Sequence, residues 1–181
     1  MSAIAANKGG RILTLLRHAK ALPDETAAND SERGLALRGE SDAIAVGKAL
    51  FEHGIRPDLV LCSTSKRTRQ TLDGIRPDMP AKTKIAFEQR LYLATEDMLL
   101  AIVQGVPDDA TSVLIIGHNP GIHELAVSLT HAADDAKDLA ALTARFPTSG
   151  CAVFTFAAEH WRGLQRNSGQ LVYHTSPARL A

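Results

Sequence analysis

Arg17 and His18 follow directly on the apolar run of residues 12–16, Ile-Leu-Thr-Leu-Leu. A short run of this composition reads as a buried strand. The pair at its end sets a permanent cation beside a nitrogen base, at the carboxyl edge where open α/β sheets bind ligands. Two more strand ends carry chemistry. Leu59–Cys62 leads into Ser63-Thr64-Ser65-Lys66-Arg67-Thr68-Arg69, and residues 113–116 lead into Gly117-His118-Asn119-Pro120-Gly121. Each of these two segments opens a helix, so in a parallel sheet all three ends share one edge.

The basic cluster at 66–69 is physically odd. Cations at a helix start oppose the macrodipole by roughly 0.3–1 kcal/mol each. Ser63, Thr64 or Ser65 can cap that end, but a cap answers only unpaired N–H groups. An anion relieves the opposition, and phosphate suits both helix N-termini and guanidinium forks. His118 stands at another helix start, which lowers its proton affinity unless a bound dianion restores it. Arg33, after a polar loop, can swing over the same edge as a further phosphate ligand.

The positioning elements follow from periodicity. Strands are expected over 12–16, Leu59–Cys62, 113–116 and Cys151–Phe156. Helical spacing appears at Ala43, Val46, Gly47 and Leu50, ended by Gly54, and at Thr68, Thr71, Leu72 and Ile75 before Pro77. It recurs at Leu99, Ile102, Val103 and Val106 with Thr95 as N-cap. The last set is Ile122, Leu125, Ala126 and Leu129, entered through Asn119 as cap and Pro120 in the first turn. The Ala- and Asp-rich stretch 132–144 also reads as helix. Strands alternating with helices imply an α/β sandwich, a mostly parallel sheet with helices on both faces.

With 181 residues the chain is expected to form a single domain over 1–181. Twenty basic and twenty acidic residues cancel, so no global field draws it toward nucleic acid or membrane. The first ten residues do not read as a signal peptide, and no apolar stretch approaches a membrane span. Cys62 and Cys151 form no disulfide framework or CxxC pair. A cytoplasmic protein is the economical expectation; its oligomeric state cannot be read.

Four segments, in this order, resemble the histidine phosphatase superfamily, which includes the cofactor-dependent phosphoglycerate mutases. They are Leu15-Leu16-Arg17-His18-Ala19, Arg33-x-Leu-x-x-Arg-Gly39, Ser63-x-x-x-Arg67-x-x-Gln70-Thr71 and Gly117-His118-Asn119-Pro120. The Arg-His-Ala-Lys start and Arg90-Leu91-Tyr92 are most similar to small phosphohistidine phosphatases of the SixA type. The resemblance implies a three-layer α/β/α sandwich of phosphoglycerate mutase type. It implies a phosphatase with His18 as nucleophile, Arg17, Arg67 and His118 around the phosphate, and Arg33 as accessory ligand. It also selects Arg67 over Arg69. Asn119, Thr148 and Ser149 are expected to add substrate contacts. No cofactor or metal is implied, and the expected partner is a phosphohistidine protein or a small phosphorylated molecule.

The sequence departs from the family's pattern at the general acid. Larger members place Glu where this chain has Leu93, and the acid phosphatase branch has Asp where this chain has Asn119. Glu88, Glu96, Asp97 and Asp24 remain as stand-ins, or no acid acts at all. The same residues allow a broad small-molecule phosphomonoesterase, or a phosphate-binding module with little turnover. A cysteine phosphatase fits poorly, because Cys62-x5-Arg would need Arg at position 68, which is Thr. A zinc site at His118, His123 and Glu124 matches no familiar spacing.

Overall fold

The computed structural model describes residues 10–180; the N-terminal segment read above for targeting lies almost wholly outside them. Seven strands among the described residues form one sheet: β1 (Arg11–Arg17), β2 (Leu59–Cys62), β3 (Lys84–Phe87), β4 (Ser112–Gly117), β5 (Thr130–Ala133), β6 (Cys151–Phe156) and β7 (Gly169–Thr175). Their order is β3-β2-β4-β1-β6-β7-β5. β1, β2, β3 and β4 pair in parallel, and β6 alone runs against its neighbours β1 and β7. The helices are α1 (Leu37–Glu52), α2 (Lys66–Ile75), α3 (Glu96–Gln104), α4 (Gly121–Leu129), α5 (Ala136–Ala144) and the single turn α6 (Pro177–Leu180).

Alternation along the strands makes three layers, since successive side chains point to opposite faces. Leu13, Leu15, Val113 and Ile115 pack with Leu99, Val103, Ile122 and Leu125 of α3 and α4. Leu16, Leu114 and Ile116 pack on the other face, with Val46, Leu50, Leu72 and Ile75 of α1 and α2. β4 is buried from end to end, as a central strand covered on both faces must be.

The three expected edge segments therefore come together. β4 lies between β2 and β1, and Arg17 pairs in register with Gly117 while Cys62 pairs with Ile116. Close contact of α1 with the exit of β1 is permitted by Gly39. A Cβ there would lie 2.1 Å from the carbonyl oxygen of Lys20.

Several local expectations need correction. Stretch 132–144 is not one helix, because Thr130–Ala133 pairs with β7 before α5 begins. Asn119 does not cap α4; its amide nitrogen donates to the Phe146 carbonyl at 2.9 Å, and Pro120 occupies the cap without a side-chain bond. His174 on β7 is buried. β3, β5 and β7 carry no clean apolar run and escaped the sequence pattern. Thr95 and Gly54 behave as expected, Thr95 accepting from the Met98 amide and Gly54 taking φ 81°.

Gly39→Ala is expected to destabilise the fold by about 1–3 kcal/mol, the usual effect of forcing a methyl into a filled space. A lower urea midpoint with an unchanged denaturant slope would show it; an unchanged midpoint would refute the close approach.

Candidate active site

His18 is held at the end of β1 by its backbone N–H, which donates to the Gly117 carbonyl at 3.0 Å. Its ring Nδ1 lies 2.8 Å from the Ala19 carbonyl oxygen. A carbonyl only accepts, so the proton sits on Nδ1 and Nε2 keeps its lone pair. Arg67 Nε donates to that Nε2 at 3.3 Å. Arg67 Nη2 stands 3.3 Å from His118 Nδ1, and His118 Nε2 stands 2.9 Å from Ser63 Oγ. The two imidazole centroids are 5.2 Å apart.

The first turn of α2 aims Arg67 inward. Ser65 is the N-cap, accepting from the Thr68 amide, and Lys66 and Arg69 fall on the exposed side while Arg67 is only 2% exposed. Thr71 Oγ1 accepts from the Ala19 amide at 2.9 Å and donates to the Arg67 carbonyl at 2.7 Å, tying α2 to the exit of β1. Gln70 Oε1 accepts from the Leu35 amide at 2.7 Å, anchoring the preceding loop.

Both histidines are held neutral. Burial, followed by the charges of Arg67, Arg17 and Arg33, pushes His18 down to about 4, against the Ala19 hydrogen bond. Burial, then His18, Arg67 and Arg17, pushes His118 down to about 3, with the Asp30 charge opposing. A neutral His18 offers a nucleophilic Nε2. A neutral His118 presents Nδ1 as an acceptor, which a bound dianion would convert to a donor by drawing a proton.

Asp30 and Tyr92 were missed as functional residues in the sequence. Asp30 opens a short 3₁₀ turn, Asp30–Glu32. Its carbonyl accepts from Arg67 Nη1 at 2.6 Å and its Oδ2 from Arg67 Nη2 at 2.8 Å. Tyr92 Oη donates to the same Oδ2 at 2.6 Å, and Arg33 Nη2 donates to Oδ1 at 2.7 Å. The Tyr92 hydroxyl first, then Arg67 and Arg33, holds this carboxyl well below the usual range. A lone loop carboxylate has no periodicity to mark it; its spacing three residues before Arg33 was the only sequence signal. The Tyr92 ring sits edge-on to His118, centroids 5.3 Å apart.

The remaining expected residues divide. Arg17 Nη1 donates to the Phe146 carbonyl at 3.0 Å, the same oxygen that accepts from Asn119. Ser149 is fully buried at φ 55°; its amide donates to the His18 carbonyl at 3.2 Å and its Oγ has no partner among the described residues. Thr148 faces a neighbouring cavity of about 310 Å³ with Lys20 and Arg145. Arg33 is not turned to His18: it pairs with Asp24 and Asp30 at 2.7 Å each. Of the stand-in acids, Glu88 pairs with Arg90, Glu96 and Asp97 with Arg166, and Asp24 with Arg33. Leu93 is exposed at φ 51°. His123 Nε2 faces the Leu142 carbonyl, and no three His, Cys, Asp or Glu side chains converge as metal ligands among the described residues.

Comparison with known proteins gives relatives across nearly the whole length. An uncharacterized protein of Mycobacterium leprae is 33% identical over 162 residues, 87% of this chain and 96% of that protein. A structure described as a 'putative phosphohistidine phosphatase SixA' from Nakamurella multipartitia superposes with TM-score 0.80 at 31% identity, covering 93% of this chain and 97% of that one. Its counterpart from Agrobacterium tumefaciens gives 0.75 at 28% identity, covering 92% and 99%. No family model matches.

Two outcomes follow from the buried titratable groups. Burial pushes the Cys62 thiol up to about 12, so the folded protein should resist iodoacetamide at neutral pH; rapid labelling of Cys62 by mass spectrometry would contradict this. His18, His118 and His174 are depressed to about 4, 3 and 4 from an unfolded value near 6.5. Their contribution is then fully present above about pH 6.5 and is lost as pH falls toward 4, where only the unfolded chain takes up protons. The urea midpoint should drop between pH 7 and 4.5, with the NMR signals of His18, His118 and His174 in the native protein still those of neutral rings at pH 6.

Proposed function

The chain belongs to the SixA-type branch of the histidine phosphatase, or phosphoglycerate mutase-like, superfamily, and on that footing we propose that it is a phosphatase carrying phosphate transiently on His18. The observation that carries this reading is the position of Arg67. One guanidinium donates to His18 Nε2 and stands against His118 Nδ1, both at 3.3 Å, with all three side chains buried.

Substrate phosphate enters between the two imidazoles. His18 Nε2 attacks phosphorus in line, and the bond to the leaving group breaks as the P–N bond forms. The leaving group departs with its electron pair and takes a proton. Arg17, Arg67 and a protonated His118 stabilise the equatorial oxygens. The dianion opposes the burial and the cationic neighbours that keep His118 neutral in the free protein, so protonation accompanies binding. Water then attacks phosphorus, the P–Nε2 bond breaks, and inorganic phosphate leaves with His18 restored. Ser149, whose backbone amide bonds the His18 carbonyl, and Asn119, next to His118, are assigned further polar contacts to the substrate.

The proposed substrate class is N-phosphorylated. Leu93 and Asn119 leave both family positions for a general acid without a carboxyl, and the four stand-in acids are engaged in ion pairs elsewhere. An alkoxide needs a proton donor, worth about 10²–10⁴ in rate. A phosphoimidazole nitrogen can take its proton from solvent before the P–N bond breaks. The names of the two SixA relatives agree with a phosphohistidine protein as substrate.

His18→Ala should abolish turnover and the acid-labile, base-stable phosphate label on the protein; a label that survives would overturn the assignment. On the wild type, phosphohistidine should be cleaved about 10²–10⁴ times faster than an alkyl phosphate of similar size, the range a missing acid sets. Faster alkyl ester hydrolysis in a free-phosphate assay would refute the substrate class.

A further inference from the structure

We propose that Asp30 is a positioning residue that clamps Arg67 for the phosphoryl group, an assignment that rests on the phosphatase reading above. The guanidinium of Arg67 is divided between two tasks. Its terminal nitrogens Nη1 and Nη2 are taken by the Asp30 carbonyl and carboxylate, at 2.6 and 2.8 Å. Its Nε, and Nη2 again, face the two histidines at 3.3 Å. Nη2 carries two hydrogens, so it can serve Asp30 and the pocket at once. Asp30 therefore fixes the outer edge of the fork and leaves the inner edge to the phosphoryl oxygens.

The clamp is itself clamped. Asp30 Oδ2 also accepts from Tyr92 Oη at 2.6 Å, and Oδ1 accepts from Arg33, which is further held by Asp24 and the Leu22 carbonyl. The loop between β1 and α1 thus becomes part of the active site through one carboxylate. A guanidinium on a long, flexible side chain has many rotamers, and catalysis needs one of them. This arrangement also assigns Tyr92 a role: its hydroxyl orients the carboxylate while its ring lies 5.8 Å from the Arg67 guanidinium. Arg33, expected as an accessory phosphate ligand, acts here at one remove, by holding Asp30.

The test uses Asp30→Ala, Asp30→Asn and Tyr92→Phe in the full chain, with folding checked by thermal unfolding. Asp30→Ala should lower kcat/KM for a phosphohistidine peptide by about 10²-fold, the scale of a misplaced catalytic group. Inorganic phosphate, read by histidine NMR shifts, should bind more weakly. Asp30→Asn keeps an oxygen acceptor for Arg67 and Tyr92, so it should recover part of kcat. Both variants remove a negative charge from a site where Arg67, Arg17 and His18 also face His118. The alkaline limb of kcat should therefore move to lower pH in both, which a purely structural role would not cause. Tyr92→Phe should give a smaller loss that does not add to that of Asp30→Ala. Unchanged kcat/KM, or tighter phosphate binding in Asp30→Ala, would overturn the clamp, the latter by showing that Asp30 competes with the anion. If the wild type neither turns over nor labels on His18, the phosphatase reading fails, and the phosphate-binding arm still decides on the clamp.

Discussion

A guanidinium with almost no exposure to water governs the architecture of this site. Arg67 is only 2% exposed, and a cation removed from solvent costs several kcal/mol unless its donors are met. Here they are met from three directions, by the loop carboxylate and carbonyl of Asp30, by His18 and by His118. Each partner comes from a different segment of the chain. The fold must therefore bring the β1 exit, the α2 entry, the β4 exit and the β1–α1 loop to one point, and a defect in any of them leaves a buried charge short of acceptors.

The sheet meets this demand by register. Parallel pairing of β2, β4 and β1 aligns Cys62, Ile116 and Leu16, so the residues that follow them emerge side by side. Helix α2 then starts immediately beyond β2, with Ser65 meeting the first orphan donors and Thr71 bonding back to Ala19. Packing enforces the same geometry from below, since two apolar layers cover β4 on both faces. Gly39 lets α1 approach the Lys20 carbonyl so closely that the intervening loop is carried over the site.

Electrostatics turns this geometry into a device with two protonation states. In the free protein burial, with Arg67 and Arg17 close by, keeps both imidazoles neutral, which leaves His18 Nε2 with a lone pair. On the proposed reading, an arriving phosphoryl dianion reverses the field at His118 and makes a proton there favourable. Binding and the creation of an electrophilic donor are thus the same event, and no separate acid is needed to stabilise charge on the phosphoryl oxygens. On the proposed reading the leaving group finds no carboxyl to give it a proton, since Leu93 and Asn119 stand at the two family positions for one.

Local pattern was enough for the strands β1, β2, β4 and β6 and for most of the helices, and with family resemblance it singled out Arg17, His18, Arg67 and His118 as candidates. Apolar periodicity reports burial, and chemistry placed at the end of a buried run is conspicuous. β3, β5 and β7 were hidden because edge and mixed strands carry no continuous apolar run, and stretch 132–144 because Ala satisfies helix and half-exposed strand alike. Asn119 looked like a cap from its neighbours alone, yet a carbonyl 27 residues away claimed its amide. The sequence by itself thus determined which strand ends share one edge of the sheet and which candidate residues stand there. Only the tertiary structure decided how Arg67 divides its donors and that Asp30, Tyr92 and Arg33 stand behind it. The bonds of Asp30 to Arg67 and Tyr92 join residues 37 and 62 positions apart, and hydrogen bonds across such separations leave no trace in local spacing.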